Sequence, residues 1–156
     1  MSTTTTERTA GAADNTKSAG SFVKITGIVI AVIGAIMFLG GASTWMLVQT
    51  SLADERITVA EDADWFAGQD VNGPFTAYAE AMIIEKHALD GSGGKTYAEL
   101  DREDPARASV MNGSFLRASL FTSVLAFGVS AMAMGLGIVQ VLGGVALAKV
   151  GKKIDA

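Results

Sequence analysis

Uncharged residues gather in two long blocks along this chain, and the polar stretch between them carries most of the acid. The first block, Ile25 to Val48, runs twenty-four residues without an ionisable side chain; the second, Ala118 to Ala148, runs thirty-one. Neither alternates with a helical or strand period, so neither has a polar face to turn towards water. About 20 apolar residues cross the ~30 Å hydrocarbon core of a bilayer as a helix, and lipid accepts every face of such a helix. The pattern predicts an all-α membrane protein: a two-helix transmembrane hairpin with a small, mostly helical extracytoplasmic loop cap.

The expected boundaries follow from length. Residues 22–48 form the first span. Its uncharged run reaches ~36 Å, too long for the 7–15-residue apolar region of a signal peptide, and no small-residue cleavage site closes it. Trp45 suits the aromatic belt at its far end. The second run would extend ~46 Å, which needs a tilt near 50°, beyond the usual 0–40°. Gly143-Gly144 is where it is expected to fray, leaving residues 118–142 as the span. Residues 143–156 then form a basic interfacial and cytoplasmic tail, with Lys149, Lys152 and Lys153 towards phosphates. Residues 1–21, rich in Thr, Ser, Ala and Gly, have nothing to bury and are expected to be a disordered cytoplasmic tail.

Residues 49–117 form the connecting loop. Arg56 to Val59 alternates like a strand but too briefly to make one. After Asn72-Gly73-Pro74, the sequence FTAYAEAMIIEKHAL repeats apolar residues at helical spacing. It predicts an amphipathic helix over 75–89, with Pro74 opening it and Gly91 closing it. Gly91 to Gly94 is a flexible connection. Thr96 and Glu99 match a capping box for a short helix over 97–103. Asp104-Pro105 reads as the start of another helix that runs through Met111 into the second span, with Asn112-Gly113 as its weak point. Trp65, Phe66, Phe75 and Tyr78 are the aromatic residues expected to make outer-loop contacts.

Charge sets the orientation. Near the helix ends, Arg8, Lys17, Lys24, Lys149, Lys152 and Lys153 flank the terminal side, against Arg56, Arg102, Arg107 and Arg117 on the loop side. Six against four favours both termini in the cytoplasm and a plasma-membrane protein with its loop outside. The loop holds 13 acidic and six basic residues, although the whole chain of 156 residues is only −4.

Candidate chemistry is sparse. The chain has no cysteine and one histidine, His87. Thiolate metal sites are excluded, and a single imidazole falls short of the usual zinc or non-haem iron set. Asp90, three residues on, is close enough to share a helical face with it. The spacing D-x-D-x-F-A-G at 62–68 breaks the calcium-loop pattern at its third ligand. Gly91 to Thr96 lacks the spacing of a phosphate loop. No ionisable group lies at mid-depth in either span, which argues against an ion path. No catalytic residue, cofactor, nucleic-acid partner or small-molecule substrate is expected.

Small residues are the informative feature within the spans. Gly27, Gly34 and Gly41 recur every seven residues, and Gly27, Ala31 and Ala35 every four; Gly128, Ala131 and Gly135 share a face of the second span. Helices associate in lipid where small residues let backbones approach. Such faces serve either to pack the hairpin on itself or to dock another membrane protein.

The stretches ITVAEDADWFAGQDVNGPFTAYAEA, GGKTYAELDREDP and SFLRASLFTSVLAFGVSAMAMGLG resemble a family of small two-helix actinobacterial membrane proteins. Its members are often labelled aromatic ring-opening dioxygenase, a name these residues do not support because such iron enzymes need ligands absent here. The resemblance, over roughly residues 20–142, is to the respiratory supercomplex-associated factor 1 type. It implies a non-catalytic accessory subunit whose partners are the integral membrane subunits of a cytochrome bcc–aa3 supercomplex. A free-standing envelope protein, acting as an assembly chaperone or stress-linked sensor, is the alternative from a different class.

Overall fold

The computed structural model describes the backbone of residues 3–155 and the side chains of residues 18–155. Three helices account for the fold: α1 (Thr3–Asp54), α2 (Pro74–Gly91) and α3 (Arg107–Asp155). There is no strand among the described residues, only an isolated antiparallel bridge between Thr58 and Asp70. α1 and α3 are each long and apolar enough to cross a membrane. The expected disordered tail, residues 1–21, lies largely outside the described side chains. Its backbone from Thr3 to Ser21 nevertheless belongs to α1, and Gly20 is buried.

The chain divides into two compact units, and both long helices contribute to each. Residues 1–41 and 132–156 make the first unit; residues 42–131 make the second.

In the first unit α1 and α3 pack antiparallel through glycine. Gly27 lies against Gly144, Gly34 against Gly137, and Gly151 against Gly20 and Lys24. A methyl group on Gly27 would stand 2.5 Å from the Gly144 carbonyl oxygen, and one on Gly34 2.6 Å from that of Gly137. Gly20, Gly27, Gly34 and Gly41 on α1, and Gly137, Gly144 and Gly151 on α3, are all buried. Each set repeats every seven residues, which keeps one stripe of a gently supercoiled helix facing its neighbour. Outside that stripe the unit is bare: Phe22, Ile36, Leu39, Val139 and Leu142 are all exposed. Gly143-Gly144 therefore does not end the helix as expected. A glycine in a helix costs about 1 kcal/mol relative to alanine. At Gly144 that cost is offset by contact with the backbones of Gly27 and Ala31, and α3 continues unbroken to Asp155.

The second unit is built around a different core. Leu52 from α1, Leu120 and Phe127 from α3, and Ala77, Ala79 and Ala81 from α2 meet Val59 and Val71 of the connecting loop. Trp45 meets Phe127 edge-on with ring centroids 4.7 Å apart. Trp45 thus packs in a protein core, where the pattern suggested an interfacial belt. Leu120 and Phe127 also lie inside the stretch expected to be span (118–142), so that stretch divides between the two units.

α2 matches its sequence signal closely. Gly73, at φ −154°, leads into Pro74, and its N–H donates to the Thr76 hydroxyl at 3.2 Å. Beyond Gly91 the chain reverses through Gly93 and Gly94, at φ +67° and +84°, a region glycine enters without a Cβ penalty. The Gly94 N–H donates to the Leu89 carbonyl at 2.7 Å, capping the helix. The helix expected over 97–103 does not form. The Thr96 N–H and hydroxyl both donate to one Glu99 carboxylate oxygen, at 2.8 Å each. The Thr96 hydroxyl is thereby spent on Glu99, and only turns follow, with Leu100 buried. Arg107 donates to the carbonyls of Tyr97 at 3.2 Å and Leu100 at 2.6 Å. α3 opens two residues after Pro105, where the Ala106 N–H meets the Asp104 carboxylate at 2.9 Å. It passes through Asn112-Gly113 without a break.

Candidate functional site

The residues expected to pack or dock helices separate into two groups. Gly27 and Gly34 are consumed inside the chain by the contact with α3, and Ala31 lies against Gly144. Gly41 is buried at the next repeat of the same stripe. Ala35 is exposed, and so are Gly128, Ala131 and Gly135; a methyl group on Gly128 or Gly135 would meet nothing within 4 Å. The glycines that α1 packs against are Gly137, Gly144 and Gly151, which pattern reading passed over. Their seven-residue spacing, preceded by Ser130 at the same interval, was the available signal.

The cap holds the remaining side-chain chemistry. Residues 57–59 and 69–71 run side by side: the Val59 N–H donates to the Gln69 carbonyl at 2.9 Å and the Val71 N–H to the Ile57 carbonyl at 2.8 Å. These bonds place Val59 and Val71, almost wholly buried, in the core and close the segment between them into a loop. Glu80 fastens that loop to α2. Its carboxylate is buried and accepts the Ala60 N–H at 2.9 Å. A buried carboxylate needs such a partner, because desolvating it without one costs several kcal/mol.

Two further ties run through the carboxylates of Asp62 and Glu85. His87 Nε2 lies 2.8 Å from Asp62 Oδ2, and Lys86 Nζ lies 3.9 Å from the same oxygen. The histidine therefore meets an acid far upstream in sequence, where helical spacing pointed to Asp90. The hydrogen bond from His87 is the chief cause that holds the Asp62 carboxyl below its ordinary range. Arg117 pairs with Glu85 at 2.8 Å and lies over the Phe121 ring at 5.1 Å, joining α2 to α3. Tyr78 meets the same Phe121 edge-on, ring centroids 5.8 Å apart.

Beside these ties is a half-open groove of about 310 Å³. Trp65 and Ala63 of the loop form one wall, Tyr78, Met82 and Ile83 of α2 the other, and Asp64 and Lys86 stand at its rim. Of the four expected contact residues, Trp65 and Tyr78 converge here. Phe66 and Phe75 are exposed but do not line it. Met82 and Ile83 of α2 complete the wall. Phe66 adopts φ +60°, a conformation a bulky residue rarely takes. Trp65 beside it is 66% exposed. The loop thus keeps two large aromatics out of the core at a cost in backbone energy.

No family model, no curated protein and no solved structure matches the chain.

Proposed function

We propose that the chain is a two-span membrane protein that serves as a non-catalytic accessory subunit of a respiratory supercomplex of the cytochrome bcc–aa3 type. In this reading α1 and α3 cross the plasma membrane as a hairpin, both termini are cytoplasmic and the cap is extracytoplasmic.

The observation that carries the membrane reading is the first unit itself. Within it, residues 25–41 of α1 and 132–148 of α3 are free of charge, and each run rises about 26 Å, close to the ~30 Å of a bilayer core. Their outward side chains are apolar and exposed. A soluble chain would expose that surface to water at a cost of roughly 25 cal/mol per Å². Lys24 and Lys149 bound the two runs at one end, at the depth where cytoplasmic phosphates lie. The rest of the two uncharged blocks, residues 42–48 and 118–131, belongs to the second unit, which holds the cap.

The accessory role is supported by what the pair leaves uncovered. The glycine stripe is used up within the chain, whereas Gly135 in the second run, and Gly128 and Ala131 on the same helix just before it, stay open for close approach by a helix of a larger subunit. The sequence resemblance supplies the identity of those subunits. The test is affinity purification of the tagged chain in a mild detergent. We expect cytochrome b, c and a haem bands in the eluate, at a fixed ratio to the tagged chain. An eluate free of haem overturns the assignment and leaves a free-standing envelope protein.

A further inference from the structure

We propose that the groove between the 57–71 loop and α2 receives an apolar side chain from an extracytoplasmic segment of a partner protein, and that this segment carries Lys or Arg beside that side chain. The inference rests on the proposed orientation for the side of the membrane on which the partner lies and on the accessory-subunit reading for which complex it belongs to, but on neither for the chemistry of the groove.

Three observations lead to it. The walls are Trp65, Tyr78, Met82 and Ile83, and Trp, Tyr and Met are the types that anchor protein interfaces, where a pocket shields one inserted side chain from water. The loop wall is held out by a non-glycine residue in the left-handed region, Phe66. Strain of that kind persists where the surroundings enforce it, and it gathers at ligand-binding segments. The rim is acidic. Asp64 lines the groove and makes no ion pair among the described residues. Lys86, the one cation there, already faces Asp62. A phosphate-headed lipid would bring its charge towards the unneutralised Asp64 carboxylate. A basic peptide would neutralise Asp64 while its apolar side chain fills the groove. Charge therefore selects a cationic protein segment over an anionic lipid surface.

The experiment uses the full chain in native membranes. Trp65 is replaced by the photoreactive residue p-benzoyl-phenylalanine, with the same probe at Glu103 as a control away from the groove, and crosslinked products are mapped by mass spectrometry. The expected result is a protein crosslink from position 65 to a segment with Lys or Arg within a few residues of the attached side chain. Asp64→Lys should lower its yield about two- to fivefold, the range an exposed ion pair supports, with the melting temperature of the chain unchanged. Crosslinks to lipid, a product no more abundant than from position 103, or a yield indifferent to Asp64→Lys would each overturn the proposal. The two readings fail separately. A haem-free eluate with an intact crosslink to a basic segment removes only the supercomplex; haem without that crosslink removes only the groove.

Discussion

Gly27 and Gly144 meet backbone to backbone, close enough that neither position has room for a methyl group. Backbones that approach so closely allow Cα–H···O contacts worth about 0.5–1 kcal/mol each. Gly27→Leu should therefore force α1 and α3 apart and destabilise the pair by about 1–3 kcal/mol, the range for overpacking a tight contact. Gly40→Ala, whose added methyl group would meet nothing within 4 Å, should be neutral, or stabilising by up to ~1 kcal/mol through helix propensity. Reversible unfolding of the two variants in detergent micelles measures the difference; equal effects would contradict it.

Gly128 makes the complementary case. Gly128→Leu meets no atom of its own chain, so the isolated protein should melt as before. Its yield in purified supercomplex should fall if that face is where a larger subunit approaches. A loss of monomer stability, or an unchanged yield, would argue against the face.

Seven-residue spacing made Gly27 and Gly34 legible in sequence, and the same spacing on the other helix went unread. Gly143-Gly144 looked like a breaker because glycine in a helix is costly in isolation. The compensation comes from a helix more than a hundred residues away, which local propensity does not register. α2 was legible to within two residues at each end, because Pro74 and the glycines past Leu89 are local signals. The cap core was not. An uncharged run reads the same whether its side chains face lipid or protein, so nothing in hydropathy marks Leu120 and Phe127 as the floor of a cap. The groove was half legible: Trp65 and Tyr78 stood out as loop aromatics, but the turn that sets Trp65 opposite α2 depends on long-range pairing of residues 57–59 with 69–71.

Glu80 is the polar residue on which the loop depends. Glu80→Ala leaves the Ala60 N–H without its acceptor and should destabilise the cap by about 1–3 kcal/mol. Glu80→Gln keeps an acceptor oxygen and should recover most of that loss. Thermal melting followed by Trp fluorescence suits the comparison. Equal melting of both variants and the parent would mean that the Glu80 contact holds nothing.

Asp62 gives the cap a pH response of known sign. Its hydrogen bond with His87 lowers its pKa from the ordinary 3.8, so the folded state binds this proton more weakly than the unfolded chain. The stabilisation is fully present above the unfolded value and fades as pH falls through the lower, folded one. Glu99 follows the same rule below its ordinary 4.5, the Thr96 N–H being the main cause. Carboxyl NMR titration of the chain should place Asp62 below 3.8, and His87→Ala should bring it back up. A titration unmoved by His87→Ala would remove the histidine as the cause.

Phe66 stores strain that glycine would not. Phe66→Gly should raise the melting temperature of the cap, since a bulky residue in the left-handed region costs on the order of 1–2 kcal/mol more than glycine. Phe66 does not line the groove, so the photocrosslink from position 65 should survive. A lowered melting temperature would mean that the Phe66 ring contributes more to packing than its backbone costs.

The central claim, two spans that hold the cap outside, is open to a direct measurement because the chain contains no cysteine. Single cysteines at Ser18, Ser92 and Ala156 are treated with a membrane-impermeant thiol reagent in intact cells, then again after lysis. The account predicts labelling of Ser92→Cys alone in intact cells, and of all three after lysis. Labelling of Ser18→Cys or Ala156→Cys in intact cells, with Ser92→Cys silent, would invert the protein in the membrane and contradict the account.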